Sequence, residues 1–245
     1  MYNPFSLEGK TILVTGASSG IGRATAIECS KMGASVIITA RNEDRLKETL
    51  LAMEGKDHQS IICDLSEESS IDLLVDKIGE IDGFVNNAGY IDLLPIKLIQ
   101  SQRLEAILTT NTVAPILLFQ KLLKKKKIRK NASAVFTSSL AGLGYGTVGN
   151  SMYSATKGAI CAFVKVASKE LAVRNIRVNA VCPGMVKTNI MSKGDVSNKQ
   201  LEEDENNYPL GYGEPLDVAL AIIYLLSNAS KWMTGTNLII DGGVS

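Results

Sequence analysis

Tyr153 and Lys157 stand four residues apart in YSATK. On a helix that spacing puts both side chains on one face, about 6 Å apart. A phenol titrates near 10, and a neighbouring ammonium stabilises its phenolate, so the pair is a candidate proton donor and acceptor near neutral pH. Upstream, Ser138 and Ser139 end an apolar run, and a glycine-rich connection, LAGLGYGTVGN, joins them to the tyrosine. Only one histidine, His58, occurs among the 245 residues. Chemistry that needs a histidine cluster is therefore excluded, and another proton carrier is required.

A second constellation lies near the N-terminus. The apolar run Thr11–Thr15 leads into TGASSGIG, with Gly16, Gly20 and Gly22 in GxxxGxG spacing, followed by a helix-length stretch. Strand, glycine-rich turn and helix N-terminus together form an anion site. Backbone amides and the helix dipole face the ligand, and glycine permits close approach of a pyrophosphate. The Gly-Lys-Ser/Thr ending of an ATP-binding loop is missing. The next apolar run, VIITA, ends in Arg41 with no acid at its tip. An acid there would hold a ribose 2′-hydroxyl, whereas arginine accommodates a 2′-phosphate, so the pattern favours NADP over NAD. Asn42 reads as an N-cap, with Glu43 and Asp44 in the first turn.

The elements that must position these groups alternate along the chain. Short β-branched runs fall at Thr11–Thr15, Val36–Thr39, Ser60–Cys63, Gly83–Asn86, Ala134–Thr137, Arg177–Val181 and Asn237–Ile240. Helical spacing occupies Ile21–Met32, Glu43–Met53, Ser69–Ile78, Ser101–Lys127, Met152–Val173 and Leu216–Leu226. Apolar strands alternating with amphipathic helices imply an α/β fold, a parallel sheet covered on both faces. No linker or repeat divides residues 1–245, so one domain is expected. Within Ser101–Lys127, Pro115 removes the i+4 partner of the Asn111 carbonyl and predicts a kink there, with a carbonyl free to hold a water.

Composition narrows the partners. Twenty-six basic residues oppose 25 acidic ones, and hydrophobic residues make up 45%. That balance offers no general electrostatic reason for nucleic acid or an anionic membrane as partner. No apolar run approaches the ~18 residues that span a bilayer, and no secretory signal opens the chain. Cys29, Cys63, Cys161 and Cys182 lack paired spacing, so reduced, buried thiols in a cytoplasmic protein are expected, with no metal. Two charge runs stand apart: seven basic residues within Lys121–Lys130, and Glu202–Glu205 within the polar stretch Ser192–Asn207. Both read as solvated surface, with a phosphate patch the alternative for the lysines.

TGASSGIG, NNAG (Asn86–Gly89), Asn111, Ser139, YSATK and Pro183-Gly184 occur in the order and spacing of the short-chain dehydrogenase/reductase family, and the resemblance covers essentially the whole chain. It implies a Rossmann-type doubly wound parallel sheet of about seven strands, ordered 3-2-1-4-5-6-7. It further implies a hydride transfer between NADP(H), with NAD as the alternative, and a carbonyl or secondary alcohol. Tyr153 would be the general acid or base, and Ser139 would polarise the carbonyl, with Ser138 the neighbouring alternative. Lys157 would hold the nicotinamide ribose and tune Tyr153, and Asn111 would complete a proton relay through water. For the cofactor, the resemblance assigns Gly16, Ser18, Ser19, Gly20, Ile21 and Gly22 to the pyrophosphate. Arg41 takes the 2′-phosphate, and Asp64 and Leu65 the adenine pocket. Asn87, Ala88 and Gly89 take the ribose, and Pro183, Gly184, Val186 and Thr188 the carboxamide. A mobile substrate lid is expected at about 189–213. Leu140, Tyr145, Val148, Asn150 and Met185 would line the substrate pocket with Ser139. His58 reads as a surface residue and Trp232 as packing. The substrate expectation is a 3-oxoacyl thioester, for which the lysine run could favour an acidic carrier. The alternatives are a sugar, steroid or small-alcohol dehydrogenase, or a catalytically silent NADP-binding sensor. Small residues Ala155, Gly158, Ala159 and Ala162, with the Ser101–Lys127 helix, suggest a homodimer or homotetramer.

Overall fold

The computed structural model describes residues 2–188 and 203–245. Seven parallel strands form one sheet: β1 (Thr11–Thr15), β2 (Ser35–Ala40), β3 (Gln59–Ile62), β4 (Ile81–Asn86), β5 (Ile128–Thr137), β6 (Arg177–Pro183) and β7 (Asn237–Ile240). Their order is β3-β2-β1-β4-β5-β6-β7, as the family resemblance implied. The helices are α1 (Gly20–Lys31), α2 (Glu43–Leu51), α3 (Glu68–Lys77), α4 (Ser101–Leu108), α5 (Ala114–Lys124), α6 (Ser151–Leu171) and α7 (Pro215–Leu226).

Alternation along each strand divides the core into two layers. Leu13, Ile37, Phe84, Phe136 and Val178 point to one face and pack with α3, α5 and α6 through Leu74, Phe119 and Val164. Ile12, Val14, Ile38, Val135 and Val181 point to the other and pack with α1, α2 and α7 through Ala26, Leu46 and Ile222. Both faces are covered, which is why these strands read as continuous apolar runs. The order reverses between β1 and β4, so the crevice of the doubly wound sheet opens at their carboxyl ends.

The stretch expected as one helix over Ser101–Lys127 is divided. A π-helical turn, Thr109–Val113, joins α4 to α5, and the Ala114 amide donates to the Thr109 carbonyl. The turn absorbs Pro115, whose ring and missing N–H do not fit a regular helix interior. Ser101–Lys124 is long and apolar enough to cross a membrane by length and composition. Here, however, Ile107, Leu118, Phe119 and Leu122 are fully buried in the protein. The helix ends at Lys124, and β5 starts at Ile128 rather than Ala134. Its early residues Arg129, Lys130 and Asn131 are exposed, and so carry no apolar signal.

The basic run is more than solvated surface. Lys121 pairs with Glu68 (2.8 Å) and Asp72 (2.6 Å) on α3, and Lys125 with Asp76. Arg129 pairs with Glu80 and Asp82. The run therefore clamps α5 and β5 against α3 and β4, while Lys124, Lys126 and Lys130 project into solvent. His58 is half-buried rather than superficial. It accepts the Val36 amide at Nδ1 (3.1 Å) and donates from Nε2 to the Glu54 carbonyl (2.8 Å). Trp232 is 97% exposed and packs against nothing.

Candidate active site

The glycines of the first turn are required first by packing. A Cβ on Gly16 would lie 2.8 Å from the Ala88 backbone, and one on Gly22 would lie 2.3 Å from the Gly16 carbonyl and 2.5 Å from Asn87 Nδ2. The β1 and β4 loops thus interlock at the crevice. Thr15, a residue not singled out from the sequence, fastens them: its hydroxyl accepts the amides of Asn87 (3.0 Å) and Ala88 (3.1 Å).

The N-terminus of α1 is open to an anion. Ser19 is extended and its side chain caps nothing, and the first turn holds no acid. Gly20 adopts φ +53°, and a Cβ there would lie 3.1 Å from Thr188 Cγ2, so Thr188 reaches the phosphate turn. Along the same edge, a Cβ on Gly89 would lie 3.0 Å from Asn111 Oδ1 and 3.5 Å from Lys157 Nζ. A floor made mostly of small residues therefore runs from Gly16 through Ser18, Ile21 and Gly22, past Asn87 and Ala88, to Lys157. An extended dinucleotide fits these residues, with its anion at a helix N-terminus that the Ser19 side chain does not cap.

Beyond β2, Arg41 is largely exposed and lies 4.0 Å from the Asp64 carboxylate. Burial raises the Asp64 pKa, but the hydroxyl and amide of Ser66, with Arg41, outweigh it and hold the carboxyl below its usual value. Leu65 is buried beneath. Pro183 ends β6. Gly184 is packed against Tyr208 and Asp241 at 3.0–3.1 Å from the position of a Cβ, and Val186 bridges to Gly213.

At the reacting end, the two serines have different tasks. Ser138 is buried; its hydroxyl donates to the Lys157 carbonyl (2.9 Å) and lies 3.1 Å from Cys161 Sγ. Ser139 accepts the Ala141 amide (3.2 Å), and its hydroxyl lies near enough to Tyr153 to favour the phenolate. Only Ser139 therefore faces the phenol. Lys157 Nζ donates to the Thr137 carbonyl (2.8 Å) and lies 5.7 Å from the centre of the Tyr153 ring. Gly142 allows this approach, because a Cβ there would meet the Lys157 carbonyl at 2.7 Å. Asn111 is buried in the π turn. It clasps Tyr90, accepting its amide (3.0 Å) and donating to its carbonyl (2.8 Å), and reaches Thr156 Oγ1 at 3.3 Å. Thr137, Thr156 and Tyr90 were invisible to motif reading, since each acts across 20 or more positions.

Burial pushes Tyr153 up to about 12 against the opposing hydrogen bond from Ser139, and burial draws Lys157 down to about 8. Desolvation, which disfavours both charged forms, is the largest influence on each group.

The expected lid falls largely on residues 189–202, outside the described residues. Its later part is tied down. Tyr208 accepts the Met185 amide (3.3 Å), Lys187 pairs with Glu205 (2.9 Å), and Tyr212 donates to Asp204 (2.6 Å). Beside the first turn of α6, a cleft of about 600 Å³ is lined by Ile96, Gly144, Thr147, Val148 and Ser154, among others. No metal-binding cluster occurs among the described residues.

A family model described as Enoyl-(Acyl carrier protein) reductase matches residues 16–245. A 3-oxoacyl-[acyl-carrier-protein] reductase of Rickettsia prowazekii (strain Madrid E) is 37% identical over 241 residues, covering 97% of this chain and 98% of that protein. The chain belongs to the short-chain dehydrogenase/reductase family. A 3-oxoacyl-[acyl-carrier-protein] reductase of Thermotoga maritima is 36% identical, with 97% of this chain and 98% of that one covered. A short-chain type dehydrogenase/reductase from Mycobacterium marinum superposes with a TM-score of 0.88 at 29% identity, covering 99% and 98% of the two chains. The protein is thus an oxidoreductase of a family that uses a nicotinamide cofactor and acts between CH–OH and C=O.

Proposed function

We propose that this reductase transfers a hydride from NADPH to the ketone of a 3-oxoacyl thioester. The observation that carries this reading is Ser139 placed beside Tyr153, with the Lys157 ammonium over the phenol ring at 5.7 Å from its centre. Two neighbouring hydroxyls suit a single carbonyl oxygen that gains charge as it is reduced. The bound nicotinamide supplies the hydride.

The protein's own groups then have separate tasks. Ser139 accepts the Ala141 amide, and its proton turns from Tyr153 to the substrate oxygen. Tyr153, with its pKa pushed up to about 12, holds its proton at neutral pH and donates it to the developing alkoxide. Lys157 is fixed by Thr137 so that its ammonium faces the phenol ring, where it would hold the nicotinamide ribose. Asn111 holds the Tyr90 loop and completes a water relay to Lys157.

Arg41 at the end of β2, with no acid at the strand tip, supports NADP over NAD. The cleft containing Ile96 and Val148 supports an apolar acyl tail, as do the 3-oxoacyl reductases among the relatives. Lys124, Lys126 and Lys130, free of the ion-pair clamp, suit an acidic carrier. Ala155, Ala159, Ala162 and Val166 are exposed along one side of α6, and Val113 is exposed on the π turn. These surfaces suit pairing into a homodimer or homotetramer; a monomer mass by light scattering would contradict it. The substrate test is NADPH oxidation with acetoacetyl thioesters, diketones and keto-sugars. The acetoacetyl thioester should give the highest kcat/KM, and a preferred keto-sugar would overturn the assignment.

A further inference from the structure

Two thiols that the proposed reaction does not use lie behind the active site. Cys161 on α6 and Cys182 on β6 have their sulfurs 3.9 Å apart, and both are buried and free. Cys161 follows Lys157 by one helical turn. Cys182 directly precedes Pro183. Ser138 links the pair to the lysine, touching Cys161 Sγ at 3.1 Å and the Lys157 carbonyl at 2.9 Å. Cys63 has Ser70 Oγ at 3.4 Å, and neither it nor Cys29 has a sulfur neighbour among the described residues.

We propose that Cys161 and Cys182 form a dithiol modification site, which a hydroperoxide oxidises to a disulfide that reversibly lowers turnover. The two sulfurs have unequal roles. Cys161, one helical turn from Lys157, lies under the field of its ammonium, which favours the thiolate there. Cys161 is therefore assigned as the attacking sulfur. Its thiolate takes the distal peroxide oxygen: an S–O bond forms, the O–O bond breaks, and the departing oxygen leaves as water or alcohol after gaining a proton. The Cys182 sulfur then attacks the sulfenic sulfur. The S–S bond forms, and hydroxide leaves with the Cys182 proton as water. Two thiols lose two electrons in all, and the peroxide gains them.

Closing to a bond length near 2 Å requires the sulfurs to approach by roughly 2 Å. That movement withdraws Cys161 from Ser138 and strains the turn carrying Lys157. The contact leaves little slack, since a Cβ on Gly142 would already lie 2.7 Å from the Lys157 carbonyl and 2.9 Å from Ser138 Oγ.

The experiment treats the full chain with stoichiometric hydrogen peroxide and alkylates it under denaturing conditions. Free thiols are counted and the digest is mapped by mass, with Cys161→Ser and Cys182→Ser in parallel. NADPH-dependent reduction of ethyl acetoacetate is followed before and after dithiothreitol, each protein normalised to its untreated rate. The expected result is a fall from four thiols to two, a Cys161–Cys182 linked peptide, and turnover lower by about tenfold or more. Dithiothreitol should restore the rate, and neither variant should lose activity to peroxide. Persistence of four thiols, over-oxidation without the linked peptide, or a linked protein with unchanged turnover would each overturn the proposal. The activity arm rests on the reductase reading above. The linked peptide is read without substrate, so failure of that reading remains distinguishable.

Discussion

Lys157 is a buried ammonium whose desolvation costs the fold stability, and replacing it with methionine should expose that cost. Its folded pKa is drawn from 10.5 to about 8, chiefly by burial. At about 1.4 kcal/mol per tenfold, that fall corresponds to about 3 kcal/mol of penalty on the charged form. The unfolded chain binds the proton more readily than the folded one between pH 8 and 10.5, so stability rises with pH across that window. Below pH 8 both states are charged and the full penalty applies. Lys157→Met removes it, but also leaves the Thr137 carbonyl without its donor, at a cost of about 1–3 kcal/mol. At pH 7 the variant should therefore be as stable as the parent or up to about 2 kcal/mol more stable, equivalent to a rise of about 4–8 °C in Tm for a domain of this size. The discriminating quantity is the pH dependence of the difference. Urea unfolding of both proteins at pH 7 and at pH 10.5 should show the variant's advantage shrinking by about 3 kcal/mol, and reversing sign at the upper end. Cys161 and Cys182 interact with the Lys157 charge, so parent and variant are compared with both cysteines replaced by serine. A difference that stays constant across that range, or a variant much less stable at pH 7, would refute the assignment of Lys157 as a desolvated cation.

Other outcomes follow from the same geometry. Tyr153→Phe should lower kcat by about 10²–10⁴-fold while cofactor binding, followed by NADPH fluorescence, is retained; full turnover would revive a silent sensor role. Arg41→Asp should weaken NADPH in KM with little effect on NADH, and an unchanged NADPH KM would remove Arg41 from the 2′-phosphate site. Gly22→Ala gains up to about 1 kcal/mol of helix propensity but forces a Cβ to within 2.3 Å of the Gly16 carbonyl. Overpacking costs about 1–3 kcal/mol and should win, so thermal melting should show net destabilisation.

The sheet order was legible only through the family resemblance, whereas the parallel alternation and the glycine turn were legible because they depend on local pattern. Strands buried on both faces, such as β1 and β6, announce themselves as apolar runs. The opening of β5 does not, because Arg129 and Lys130 turn outward to acids on β4 and solvent. The Lys121–Lys130 run could be read only as a surface charge, since its partners Glu68, Asp72 and Asp76 lie some fifty positions away on α3. Asn111 was found through motif and proline, yet its clasp on Tyr90 depends on a π turn whose five-residue closure leaves no periodic trace.

The Tyr153–Lys157 pair shows where spacing stops being informative. Four residues on a helix correctly place an amine near a phenol, and from proximity alone the phenolate should be favoured. Whether that attraction governs depends on how much water the fold removes from each group, a property set by β5, the Gly142 turn and the Asn111 loop together. Here desolvation is the largest influence on both, pushing tyrosine up and lysine down. In the free protein a neutral phenol is thus the stable form, as the acid role proposed for Tyr153 requires. A pH profile of kcat/KM for reduction that falls first near pH 8, with the lysine, and not with the tyrosine, is the signature of that order.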